Sequence, residues 1–150
     1  MLELWTSETP NGWKISIMLE ELGVSYRVVP ISLTAGEQKQ DWYVARNPNG
    51  RIPTLIDSEA NDFAVFESGA ILIYLAEKYA RFLPDDAAGR SHVFQWLMWQ
   101  MSGLGPMMGQ ATVFRRYFPE PLPAVIDRYT RESLRLFGVM DAQLAERDYL

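Results

Sequence analysis

The 150-residue chain has no cysteine and a single histidine, His92. Without a thiol there is no disulfide framework, no thiolate-ligated metal site and no protein-borne thiol nucleophile, so any sulfur chemistry must use a thiol carried in by another molecule. One histidine likewise argues against a zinc site or a serine–histidine pair, and His92 reads as the decoration of a helix. Also missing is an apolar run near the roughly 20 residues of a membrane-spanning helix. Met1-Leu2-Glu3-Leu4-Trp5 lacks the basic stretch that opens a secretory leader. The expectation is a cytoplasmic protein, neither secreted nor membrane-embedded. Clusters of basic residues are scarce, Arg115-Arg116 being the longest, so a nucleic-acid partner is not expected. The net charge is −5: residues 1–80 carry six Lys and Arg against eleven Asp and Glu, whereas residues 81–150 carry eight against eight. What is present, 48% hydrophobic and 22% charged residues without low-complexity tracts, describes a globular chain able to bury a core.

Residues 1–80 alternate strand-like and helix-like segments. Leu2-Glu3-Leu4-Trp5 reads as a strand and Thr6 to Gly12 as a loop. Ile15, Met18, Leu19 and Leu22 then mark one face of a helix that stops at Gly23. Tyr26 to Ile31 is a second strand, placed parallel to the first by the helical crossover. A connecting segment with one short helix follows. Thr54 to Asp57 and Phe63 to Phe66 should pair antiparallel across the turn Ser58 to Asp62, and Gly69 to Ala76 is apolar nearly all round, as in a helix packed between two layers. The pattern β-α-β, then β-β-α, is that of a thioredoxin-like α/β domain. Residues 81–89 read as a linker. Beyond it strand signals vanish: one long helix runs through Val93, Trp96, Leu97, Gln100 and Leu104, with a kink expected at Gly103, Gly105 and Pro106. A second runs through Ile126, Ser133, Phe137, Met140 and Leu144. Residues 90–150 are thus expected to hold two helices of an all-α domain.

Three segments could carry chemistry. Arg51-Ile52-Pro53-Thr54 sets a proline directly before a strand. Spacing alone fits equally a trans proline opening the strand or a cis proline that turns the backbone of Ile52 outward as an edge for an extended peptide. Phe66-Glu67-Ser68-Gly69 is a strand end entering a helix, where Ser68 is either a helix cap or a hydroxyl beside free backbone N–H groups that suit a carboxylate. Thr9-Pro10-Asn11-Gly12 lies between the first strand and first helix. It is either a helix-capping turn or a set of donors, Thr9 and Asn11 above all, suited to a thiolate. Ser7 is a spare hydroxyl close to both.

Taken together, Thr9-Pro10-Asn11-Gly12 with Lys14, Asn47-Pro48-Asn49-Gly50-Arg51-Ile52-Pro53, Phe66-Glu67-Ser68-Gly69-Ala70-Ile71 and Tyr74-Leu75-Ala76-Glu77 resemble the N-terminal domain of glutathione transferases. Trp96 to Met101, followed by Gly103-Leu104-Gly105-Pro106-Met107 and Gly109-Gln110, resembles the bacterial Nu-class branch of disulfide-bond oxidoreductases. The resemblance implies glutathione as thiol cofactor, with Glu67 and Ser68 on its γ-glutamyl end, Ile52 pairing with its cysteinyl unit beside a cis Pro53, and Gln38 on its glycyl or γ-glutamyl portion. Thr9 and Asn11 would face the sulfur. Arg128, in Asp127-Arg128-Tyr129, matches a family arginine that reaches the ligand from the helical domain, and equally fits a surface charge. The implied activity is reduction of small or mixed disulfides, or conjugation of electrophiles in detoxification, by a homodimer. The alternative is a non-catalytic glutathione-fold binding or regulatory module. Family helical domains continue beyond two helices, so a C-terminally truncated form, or faces covered by a partner chain, is expected.

Overall fold

The computed structural model describes residues 1–150 and divides into two units, Met1–Pro84 and Asp85–Leu150. In the first, β1 (Leu2–Thr6), α1 (Pro10–Leu22) and β2 (Tyr26–Pro30) form a β-α-β unit, and β1 and β2 pair in parallel with Leu4 opposite Val28. A 3-10 turn (Glu37–Lys39) and the short α2 (Asp41–Val44) lead to β3 (Thr54–Asp57), β4 (Phe63–Phe66) and α3 (Ser68–Tyr79). The sheet order is β2-β1-β3-β4, with β3 antiparallel to both neighbours. The turn between β3 and β4 bends through Asn61 and Asp62, both at positive φ, a conformation that short polar side chains tolerate best.

Alternation in β1 sends Leu2 and Leu4 to one face, where they join Leu55 of β3, Ile15, Leu19 and Leu22 of α1, and Ile71 and Leu75 of α3 in one apolar cluster. β3 is buried along its whole length. On the other face Trp5, Trp42 and Tyr43 meet with ring centroids 5.6–5.8 Å apart. Gly23 ends α1 in the left-handed conformation, its N–H turned back on Glu20 and Leu19 carbonyls.

Two helices start well before the sequence reading placed them, while other bounds shift by one to three residues. α1 begins at Pro10, inside the stretch read as a loop, because Thr9 caps the helix and Pro10 suits its first turn. The stretch 81–89 contains the start of α4 (Ala87–Trp99), whose cap is Asp86, its Oδ1 accepting from the Gly89 N–H at 2.9 Å.

In the second unit α4 runs into a π-helical turn (Gln100–Leu104) and α5 (Gly105–Arg116), followed by α6 (Pro123–Leu144). The expected kink is this π-turn. Pro106 has no N–H for the α-helical ladder, and the Gly105 N–H bonds to the Gln100 carbonyl five residues back. A Cβ at Gly105 would lie 3.2 Å from that same carbonyl oxygen, a tight contact that glycine avoids. Leu104 and Leu136 are buried, and Phe114 of α5 stacks on Tyr129 of α6 at 5.8 Å. No helix is long and apolar enough to cross a membrane.

Candidate functional site at the sheet edge

Register brings the candidate segments together. Trp5 pairs with Thr54, and Thr54 with Phe66, so the end of β1, the start of β3 and the end of β4 share one edge of the sheet. The segments leaving that edge hold Ser7 to Asn11, Asn47 to Pro53, and Glu67-Ser68. Both α1 and α3 start there, presenting backbone N–H groups and the positive ends of their dipoles.

Thr9 is the cap of α1: its Oγ1 accepts from the Gly12 N–H at 3.3 Å and keeps its own proton to donate elsewhere. Asn11 is the second helical residue and is exposed. Ser7 is not spare: its hydroxyl donates to the Ile31 carbonyl and ties the end of β1 to the chain after β2. Gly12 is buried beside β1, and a Cβ there would stand 2.5 Å from the Ser7 carbonyl oxygen, so only glycine lets α1 start this close to the strand.

The Ile52–Pro53 peptide bond is cis. The loop before it rests on a buried polar network that the sequence reading missed. Tyr43 Oη donates to the Arg51 carbonyl at 2.8 Å and meets Thr54 Oγ1 at 2.9 Å, and Asn47 Nδ2 donates to the same two oxygens at 2.6 and 2.9 Å. Tyr43 and Thr54 are wholly buried and Asn47 nearly so. Burial pushes the Tyr43 hydroxyl above its ordinary pKa, against the opposing effect of its hydrogen bonds with Thr54 and Asn47. The turn chemistry of Asn47-Pro48-Asn49-Gly50 hints at a bend, but a tyrosine in a short helix gives no sign of reaching it.

Ser68 is the first helical residue of α3, buried, while Glu67 takes the cap position without capping the helix by its side chain. The backbone of Glu67 stands at φ 69°, rare for a non-glycine residue. Its Oε1 instead accepts from Asn49 Nδ2 at 2.8 Å, linking the cis-proline loop to the start of α3. On α1, burial lowers the Lys14 pKa, and the charge of the Glu67 carboxylate raises it back in part. Gln38, in the 3-10 turn, has its Oε1 buried with no hydrogen-bond partner, and its backbone oxygen would lie 2.9 Å from a Cβ at Gly50. The first unit therefore gathers Thr9, Asn11, Ile52, Pro53, Glu67 and Ser68 at one edge, with Gln38 against the adjoining loop. Arg128 belongs to the second unit, exposed on α6. There it and, more strongly, Arg135 hold the Glu132 carboxyl below its usual range.

The groups at the edge offer donors for a carboxylate and a thiolate, an acceptor for an ammonium, and backbone for an extended chain, a set that suits a small zwitterionic peptide. Comparison with known proteins narrows this. Residues 1–77 match the model of the glutathione S-transferase N-terminal domain. The chain is 40% identical over 154 residues to the disulfide-bond oxidoreductase YfcG of Escherichia coli, covering 100% of this chain and 72% of that one. It is 40% identical over 144 residues to the transcriptional regulator URE2 of Saccharomyces cerevisiae, covering 92% of this chain and 41% of that one. A solved glutathione transferase of Burkholderia graminis, with two glutathione molecules bound per subunit, superposes with a TM-score of 0.94 at 42% identity, over 99% of this chain and 64% of that one.

Proposed function

The chain belongs to the glutathione S-transferase family, and from that premise we propose that it binds glutathione on residues 1–80 and uses the bound thiol to reduce small or mixed disulfides. Conjugation of electrophiles is a variant of the same thiolate chemistry. The observation that carries the reading is the convergence, in a chain without cysteine, of two helix N-termini, the cis Ile52–Pro53 edge and the Glu67 carboxylate. In this reading Glu67 takes the ammonium and Ser68 the carboxylate of the γ-glutamyl end. Ile52 pairs through its backbone with the cysteinyl unit beside Pro53, Gln38 meets the glycyl or γ-glutamyl portion, and Thr9 and Asn11 donate to the sulfur.

A free thiol has a pKa of about 8.5, and bringing it to about 6.5 takes roughly 2.7 kcal/mol of preferential thiolate stabilisation. Two donors and a helix terminus supply that without a protein base. The glutathione thiolate then attacks one sulfur of the disulfide, forming a mixed disulfide and expelling the other sulfur as thiolate. A second glutathione thiolate resolves the mixed disulfide, leaving oxidised glutathione and two reduced thiols.

The reading extends to a homodimer working in the cytoplasm, with detoxification as its setting. The cytosol is where glutathione keeps thiols reduced. The dimer is favoured by the family resemblance and by an open groove along α4, lined by Ala87, Arg90, Ser91, Phe94, Gln95 and Met98, that a partner could cover.

The test is a pair of assays on the purified chain: glutathione-dependent reduction of a small disulfide, and conjugation of glutathione to a chlorinated aromatic. Turnover of the disulfide is expected to exceed conjugation. Absence of glutathione binding by titration calorimetry overturns the proposal. The 40% identity to a transcriptional regulator favours a second reading, a glutathione-binding module without catalysis. Binding without turnover in either assay decides for it.

A further inference from the structure

Glu67 carries a carboxylate on a flexible, exposed stem, and left alone such a side chain spreads over several rotamers. Here it does not stand alone. Asn49 Nδ2 donates to its Oε1 at 2.8 Å across a separation of 18 residues. Asn49 is itself fixed from several sides. Its N–H donates to Asn47 Oδ1 at 3.0 Å, its carbonyl oxygen lies 3.5 Å from Lys39 Nζ, and the next residue, Gly50, donates to the Asn47 carbonyl at 2.9 Å. Asn47 in turn is buried and bonded to the Arg51 carbonyl and Thr54. The amide that grips Glu67 is thus mounted on an anchored turn.

We propose that Asn49 is a positioning residue for the ligand's amino end: its amide holds Oε1 of Glu67 and so sets the carboxylate to receive the ammonium of a γ-glutamyl ligand. The inference rests on the glutathione reading above. A neutral amide suits the task, since it orients the carboxylate and leaves its charge undiminished. A carboxylate accepts at more positions than Asn49 occupies, so the ammonium can bind it at the same time. The same contact joins the loop carrying Ile52 to the start of α3, so the segments assigned to the amino end and the cysteinyl unit of the ligand are linked by a direct hydrogen bond.

The experiment is a coupling measurement. Titration calorimetry compares wild type, Asn49→Ala and Asn49→Ser with two ligands: glutathione, and its analogue in which a glutaryl group replaces the γ-glutamyl group and so lacks the ammonium. Asn49→Ser keeps a polar turn residue too short to reach Glu67. Both variants are expected to bind glutathione about fivefold more weakly than wild type and to bind the analogue within twofold of it. In a Glu67→Gln background, Asn49→Ala should cost little further affinity. Equal weakening for both ligands, or none for either, overturns the positioning role while leaving glutathione binding intact. Failure of wild type to bind glutathione overturns the functional reading and this inference with it.

Discussion

Lys78, on the last turns of α3, gives its ammonium to Oδ2 of Asp57, the wholly buried last residue of β3. Tyr74, one turn earlier on α3, donates to the same oxygen at 2.6 Å, and the Glu59 N–H donates to Oδ1 at 3.0 Å. One carboxylate thereby ties the C-terminal half of α3 to the sheet, at the end opposite the candidate site. Removing one partner of a buried ion pair leaves the other charge uncompensated, which costs about 3–5 kcal/mol. Lys78 keeps part of its side chain in water, so Lys78→Met should fall at the lower end, about 3 kcal/mol, and Asp57→Ala at or above it. Urea unfolding followed by circular dichroism checks this. A Lys78→Met midpoint equal to wild type would show that the pair adds nothing to stability.

The same cluster sets the pH limits of stability. Burial pushes the Asp57 carboxyl up, but the hydrogen bonds from Lys78, Tyr74 and the Glu59 N–H outweigh it and leave the pKa below its ordinary value. A depressed carboxylate contributes stability that is full above its unfolded pKa of about 3.9 and is lost as pH falls through the folded value. At the alkaline end, burial and then the Asp57 carboxylate raise Tyr74 to about 12, and Lys78 is raised above its usual range, chiefly by its hydrogen bond to Asp57. Both contributions are full below the unfolded values of about 10 and are lost as pH rises through the folded ones. Urea midpoints measured from pH 2 to 12 should therefore fall below about pH 4 and above about pH 10. Tyr74→Phe should flatten the alkaline limb.

Much of the first unit is legible in the sequence because period-2 and period-3.6 apolar patterns are enforced by burial. Leu2 and Leu4, then Ile15, Leu19 and Leu22, announce a strand and a helix whose faces meet in one cluster. The start of α1 was hidden because Pro10-Asn11-Gly12 is also good turn chemistry. Only the close approach of Gly12 to β1 shows why the glycine lies inside a helix. Of the candidate site, residues lying in contiguous motifs could be read. The network that joins Tyr43 to Asn47 and Thr54 could not, since it links residues by three-dimensional proximity and leaves no periodic trace. The hold of Asp57 on Lys78 spans 21 residues and was invisible for the same reason.

Tyr43→Phe removes one hydroxyl from that network and keeps the ring against Trp5 and Trp42. The Arg51 carbonyl retains Asn47, but the Thr54 hydroxyl loses the Tyr43 oxygen. An expected cost is about 1–2 kcal/mol of stability, read as a lower urea midpoint. Because the lost bond supports the loop before Ile52, glutathione affinity should fall as well. Unchanged affinity at reduced stability would mean that Asn47 alone shapes the loop.

Three hydroxyl and amide side chains, Ser7, Thr9 and Asn11, lie within five residues of one another and should differ in their effect on a bound thiol. Thr9 accepts from the Gly12 N–H and has a proton to give, and Asn11 is exposed on the first turn of α1. If both donate to the bound glutathione sulfur, Thr9→Ala and Asn11→Ala should each raise the pKa of the bound thiol by about one unit, the loss of about 1–2 kcal/mol of thiolate stabilisation. The rate near neutral pH should drop about tenfold or less, because the helix terminus still acts. Ser7 is committed elsewhere, to the Ile31 carbonyl. Ser7→Ala should therefore lower stability by about 1 kcal/mol and leave the thiol titration in place. Thiolate absorbance in the ultraviolet as a function of pH, with glutathione bound to wild type and the three variants, measures all of these at once. A titration moved by Ser7→Ala and by neither of the others would transfer the sulfur site to Ser7 and require its bond to Ile31 to break when the ligand binds.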